Sequence, residues 1–77
     1  MEIENFIKSK IFEITFKNVS SSEPLITSAL IDSITMVELI VEIEEFLGKQ
    51  VPQHLIIDEN FNTVEKILET ISKCDAQ

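Results

Sequence analysis

Few side chains in this sequence can do chemistry, and they lie far apart. Ser33 follows Asp32 directly, the single histidine is His54, and the single cysteine is Cys74. A nucleophile needs a base within hydrogen-bond reach, so a hydrolytic triad would have to combine Ser33, His54 and some acid. No Gly-x-Ser-x-Gly turn surrounds Ser33, and a chain of 77 residues has little room for a substrate pocket. The expectation is therefore a protein that is not an enzyme, with no catalytic residue. His54 reads as a solvent-exposed loop residue, and Cys74 as a bystander without a redox or metal partner. Asp58, Asn60, Asn62 and Glu69 take the first, third, fifth and twelfth places of a calcium-binding loop. Thr63 stands where that loop needs glycine, and the apolar stripe starting at Val64 falls inside it. A capped helix start is the better reading, and no metal site is expected.

Ser33 stands where a helix begins, beside free backbone N–H groups and the positive end of the macrodipole. A phosphate ester on its hydroxyl would gain roughly 0.3–1 kcal/mol there. An ordinary cap fits as well, with Asp32 or Ser33 satisfying the first turn. Thr35-x-x-Glu38 also reads as a capping box, which would start the helix two residues later. The residues by themselves permit a modified serine without requiring one.

The elements that must position Ser33 are helical in pattern. From about Glu2 to Lys17, Ile3, Phe6, Ile7, Ile11 and Ile14 follow helical spacing, yet Phe12, Ile14 and Phe16 alternate like a strand. Periodicity leaves that second half open. "NVSSSEPLITS" is a loop in which Pro24 turns Glu23 away from helix, with Leu25, Ile26 and Leu30 as anchors to the core. A second helix runs from about Ser33 to Leu47 and stops at Gly48. Met36, Ile40, Ile43 and Leu47 share one face, and Val37 and Val41 widen it beyond a thin core seam. Four glutamates in "ALIDSITMVELIVEIEEF" have no lysine or arginine among them. Residues 49–62 are irregular with room for a short helical turn. Asn62 or Thr63 can cap a last helix whose apolar face is Val64, Ile67, Leu68 and Ile71.

Fourteen acids against six bases give a net charge of −8. That charge repels nucleic acid and anionic membrane, so neither is an expected partner, and it steers toward basic patches on proteins. The same acids could serve solubility alone. With 44% hydrophobic residues the chain is too apolar for a disordered acidic tail. One cysteine allows no internal disulfide, which fits a reducing cytoplasm. The opening MEIENFIKSK does not read as a secretory signal, and no apolar run approaches the roughly 20 residues of a membrane span. The expectation is one small domain over residues 1–77, soluble, cytoplasmic and monomeric, with a tail frayed from about residue 72.

From about Pro24 to Ile71 the sequence resembles the acyl carrier proteins, members of the phosphopantetheine-attachment family. "LITSALIDSI" is similar to the loop-to-helix entry with its Asp-Ser-Leu signature, here Asp32-Ser33-Ile34. "VELIVEIEEFLGKQVP" resembles the acidic second helix and its exit. "ENFNTVEKI" resembles the entry to the last helix in carriers of aminoacyl and peptide type. Two departures stand out. The family often has glycine three or four residues before the serine, where this chain has Leu30 and Ala29; alanine fits if its φ stays negative, with a small change of loop geometry. The first loop is also shorter than usual, and the helical reading of Phe12 to Phe16 leans on the family.

The resemblance implies an all-α, small four-helix bundle: three main helices plus one short, with a long loop between the first two. It implies that Ser33 bears 4′-phosphopantetheine, transferred from coenzyme A by a magnesium-dependent phosphopantetheinyl transferase, with Asp32 helping that enzyme engage. The thiol of the arm would hold acyl or aminoacyl groups as thioesters for loading and processing enzymes with basic docking patches. Ile34, Val37, Glu38, Val41, Glu42 and Glu45 would form the docking face, although Val37 and Val41 fit a core equally well. Contacts there would be weak and salt-sensitive. Fatty acyl, polyketide and D-alanyl or other aminoacyl cargo share these features, and the "ENF-x-TV" block leans slightly away from the fatty-acid type. The competing reading is an acidic helical adaptor that binds partners without covalent cargo.

Overall fold

A computed structural model describes residues 2–75, with Asp75 described for its backbone alone. Four helices follow in order: α1 (Glu2–Thr15), α2 (Ser33–Leu47), α3 (Asp58–Phe61) and α4 (Val64–Asp75), with a 3-10 turn at Gln53–Leu55. The all-α bundle expected from the sequence is what forms, with three long helices and a short one.

Helix α1 buries Ile7 and Ile11 completely. Their spacing of one turn fixes the helical register, and the strand-like alternation downstream does not override it. Thr15 Oγ1 donates to Ile11 O at 2.8 Å and the Phe16 amide to Phe12 O at 2.7 Å, where the chain turns left-handed at Phe16 (φ 60). The alternating Phe12, Ile14 and Phe16 are consequently all exposed rather than lining one face of a strand.

The loop from Phe16 to Asp32 is held by its apolar side chains and its backbone. Val19, Leu25 and Ile31 are buried; Ile26 and Leu30 are half-buried against the core. Ser21 O accepts the Glu65 amide at 3.0 Å, so the loop satisfies one of the donors left free at the start of α4. In α2, Met36, Leu39, Ile40 and Ile43 face the core. The helix closes at Gly48 (φ 72), whose amide donates to Glu44 O at 2.9 Å. Only glycine takes that left-handed C-cap without strain. Glu44 Oε2 then accepts the Val51 amide at 2.8 Å, folding the chain back toward α3.

Helix α1 packs on α2 and α4, and α3 on α4. Phe61, Val64 and Ile67 are sealed at the centre. Thr63 Oγ1 accepts the Lys66 amide at 3.0 Å and so caps α4, leaving Asn62 for another task. Helix α4 continues to Asp75, beyond the end at Ile71 drawn from its apolar face, and Cys74 packs half-buried on the core. The rest of the tail, Ala76 and Gln77, lies outside the described residues.

Candidate functional site

The start of α2 resolves the choice between Asp32, Ser33 and Thr35 as caps. Asp32 has extended backbone (φ −84, ψ 172), and its Oδ1 accepts the Thr35 amide at 2.7 Å. The Met36 amide donates to Asp32 O at 2.9 Å, the first bond of the helix. Asp32 is therefore the N-cap, and the helix begins at Ser33 rather than at the Thr35-x-x-Glu38 box. The Thr35 backbone amide and then its side chain hold the Asp32 carboxyl below its ordinary range, against a small opposing effect of burial, and the Ile34 amide adds to this.

With the cap supplied by Asp32, Ser33 is left exposed, and its Oγ has no hydrogen-bond partner among the described residues. No acid stands in the first turn of α2. A cleft of about 100 Å³ opens beside the serine, lined chiefly by Met36, Ile40, Ile56, Ile57 and Phe61. Its far wall comes from the 56–61 segment, which periodicity left as irregular chain. The run Leu55-Ile56-Ile57 was the signal that apolar side chains gather there.

The loop before Ser33 corrects one expectation. Ala29 lies at φ 63, in the left-handed region, and does not keep a negative φ. Its amide donates to Ile26 O at 2.9 Å, Ser28 Oγ to Pro24 O at 2.7 Å, and the Ile31 amide to Leu25 O at 2.9 Å. These bonds hold the glycine-like turn with alanine in place, and the strain remains at Ala29.

Along α2, Ile34, Val37 and Val41 are 77%, 52% and 46% exposed, so all three lie outside the core. Glu38 and Glu45 are exposed beside them. Glu42 differs: it is half-buried, and Lys10 Nζ of α1 reaches its Oε2 at 3.1 Å while lying 3.6 Å from Glu13. The bond to Glu42 is the main cause that raises the Lys10 pKa. Sequence reasoning brought together the right face of α2 but missed the lysine that crosses onto it.

His54 is exposed on the 3-10 turn, far in sequence from Ser33. The calcium-loop pattern is dispersed into helices. Asn60 Nδ2 donates to Leu55 O at 2.8 Å, and Asn62 Oδ1 accepts the Ile26 and Thr27 amides at 2.8 and 3.0 Å. Among the described residues no group of three or more His, Cys, Asp or Glu side chains could hold a metal ion, and no helix is long and apolar enough to cross a membrane.

Fold and site together define a class: a small helical scaffold that offers one unengaged serine hydroxyl at a helix start, beside an acidic and partly apolar helix face. A family model described as a phosphopantetheine attachment site matches residues 11–71. The chain belongs to that family, the family of the acyl carrier proteins, whose members carry covalently attached 4′-phosphopantetheine and are not themselves catalysts. Comparison with curated proteins and with solved structures gives no significant match.

Proposed function

We propose that Ser33 is the attachment residue, and that this carrier presents acyl or aminoacyl thioesters to partner enzymes. The observation that carries the reading is the division of labour at the start of α2. Asp32 takes the cap, which leaves the Ser33 hydroxyl exposed and without a bond among the described residues. The residues present suit the group: an exposed hydroxyl at a helix start, and a largely apolar cleft alongside with Asp58 as its one acid.

In the attachment step, Ser33 Oγ attacks a phosphorus of the coenzyme A pyrophosphate. The Oγ–P bond forms, the P–O bond to the nucleotide half breaks, and the serine proton passes to a base on the transferase. The bound arm supplies a thiol that carries cargo as a thioester. Asp32 meanwhile fixes the helix start, its carboxylate held by the Thr35 amide. Ile34, Val37 and Val41, with Glu38, Glu42 and Glu45, form the docking face for enzymes with basic patches. The net negative charge there, with only Glu42 paired to Lys10, speeds encounter and keeps complexes salt-sensitive.

The pathway is of fatty-acid, polyketide or aminoacyl type, and the "ENF-x-TV" block leans slightly away from the fatty-acid type. A monomer in the cytoplasm is consistent with a charge of −8, which disfavours self-association. Coexpression with a broad-specificity phosphopantetheinyl transferase, followed by intact mass, tests the site. One arm is expected on the wild type and none on Ser33→Ala; an arm on Ser33→Ala, or none on the wild type, rejects it.

A further inference from the structure

Two contacts set the register of α1 against α2, and a shared groove continues it one turn further. Phe6 stacks on Phe46, Lys10 bridges to Glu42, and Ile14 lines a groove of about 260 Å³ with Glu38. Each step of one turn forward along α1 is one turn back along α2, so the helices are antiparallel. Antiparallel packing puts the last turn of α1, with Phe16 just beyond it, at the end of the molecule where α2 begins and Ser33 is presented.

Phe16 is an unusual residue for its position. It follows the last residue of α1 with φ 60, a backbone that favours glycine or asparagine and strains a bulky side chain. Its ring is 81% exposed, so burial within the fold does not offset that strain. Ile14 is exposed one half-turn away, at the rim of the groove. Three glutamates, Glu13, Glu38 and Glu42, line that groove against one lysine, Lys10. Ile14 bordered by these acids, with the exposed Phe16 ring beyond the same helix end, fits a protein surface with an apolar hollow and a basic rim. A second copy of this chain, at −8, and an anionic membrane are both repelled by the same charge.

We propose that Phe16 and Ile14, at the end of α1, are a second apolar anchor for the enzymes that act at Ser33. The docking surface then extends from Ile34, Val37 and Val41 on α2 across the groove to Ile14, and on to Phe16 beyond the end of α1. This rests on Ser33 as the attachment residue. The transferase is a partner in hand, and it must approach this end of the bundle.

Steady-state transfer from coenzyme A by a broad-specificity phosphopantetheinyl transferase tests the anchor. Phe16→Asn removes the ring and keeps a residue that tolerates the left-handed backbone, and Phe16→Gly does the same by another route. Both are expected to melt no lower than the wild type, to raise KM for the carrier about fivefold and to leave kcat unchanged. Ile14→Gln should raise KM in the same sense, while Glu69→Gln on α4 should not. A KM within about twofold of the wild type in both Phe16 variants, with folding intact, overturns the anchor but leaves the attachment site standing. A wild-type chain that accepts no arm removes both.

Discussion

Asn62 and Thr27 tie the corner between α3 and α4 to the loop that leads into Ser33. Asn62 Oδ1 accepts the Thr27 amide at 3.0 Å and the Ile26 amide at 2.8 Å, and Asn62 Nδ2 donates to Thr27 Oγ1 at 3.3 Å. The Asn62 carbonyl accepts the Leu25 amide at 2.6 Å. One residue thus holds three consecutive loop amides across the chain. Asn62→Ala leaves two of those donors without their side-chain acceptor, at a cost of about 0.5–1.5 kcal/mol because water can reach the Thr27 amide. Urea unfolding measures the loss, and faster amide exchange at Ile26 and Thr27 locates it. Asn62→Asp keeps the acceptor and should be the milder change; equal losses in both variants would show that the acceptor is not what matters.

Ala29 holds the same loop in a strained turn. Its φ of 63 is open to glycine but costs an alanine roughly 1 kcal/mol. Ala29→Gly relieves the strain and gives the unfolded chain more freedom, and the two effects oppose one another. The strain is the larger, so a gain of about 0.5 kcal/mol is expected, read as a higher urea midpoint at unchanged slope. A loss of stability would mean that the turn does not keep its left-handed form.

Much of the fold could be read from the sequence because helices announce themselves by spacing. The turn-to-turn run of Ile7 and Ile11, the stripe of Met36, Ile40 and Ile43, and Gly48 after it are local signals. Asp32-Ser33 marked a helix start, but three residues competed for the cap; geometry decided, since only the Asp32 carboxylate reaches the Thr35 amide. Asn62 looked like a cap or a metal ligand because its true partners, Ile26 and Thr27, are remote in sequence. Phe12, Ile14 and Phe16 left helix and strand undecided by spacing alone, because alternation on a short stretch fits two periods. Val37 and Val41 could not be sorted between core and surface until α1 was seen to cover only the neighbouring face.

Ser33→Ala should separate attachment from stability. Asp32 caps the helix and the serine hydroxyl makes no bond among the described residues. Removing it should shift stability by no more than about 0.5 kcal/mol, as at other exposed positions. A marked loss of thermal stability in that variant would show that the hydroxyl is part of the fold.

The Asp32 cap carries a pH signature. Its folded pKa lies below the ordinary value, with the Thr35 amide as the leading cause. A depressed carboxyl stabilises fully above its unfolded pKa and loses that contribution as pH falls through its folded pKa. Asp32→Asn keeps an amide oxygen for the cap but cannot titrate. The stability difference between wild type and Asp32→Asn should therefore be flat near neutrality and move against the wild type only below the ordinary carboxylate range. A difference that changes between neutral and mildly acidic pH would point to another group.

The register that brings Phe16 to the Ser33 end depends on how α1 is clamped to α2. Phe6 and Phe46 stack with ring centroids 4.3 Å apart and planes 24° from parallel, and Lys10 lies 5.6 Å above the Phe6 ring. Phe46 is 45% exposed, so water already touches much of its ring and the pair should fall at the low end for aromatic contacts. A double-mutant cycle with Phe6→Ala and Phe46→Ala is expected to give a coupling of about 0.5 kcal/mol. Phe6→Ala alone should cost more than Phe46→Ala, because Phe6 also packs on the core. The cycle reaches beyond stability: loosening this clamp frees α1 to slide, which should raise the KM for arm transfer even though neither phenylalanine lies at the Ser33 end. Zero coupling with unchanged transfer kinetics would assign the register to the Lys10–Glu42 bridge and the buried Ile7 and Ile11 instead.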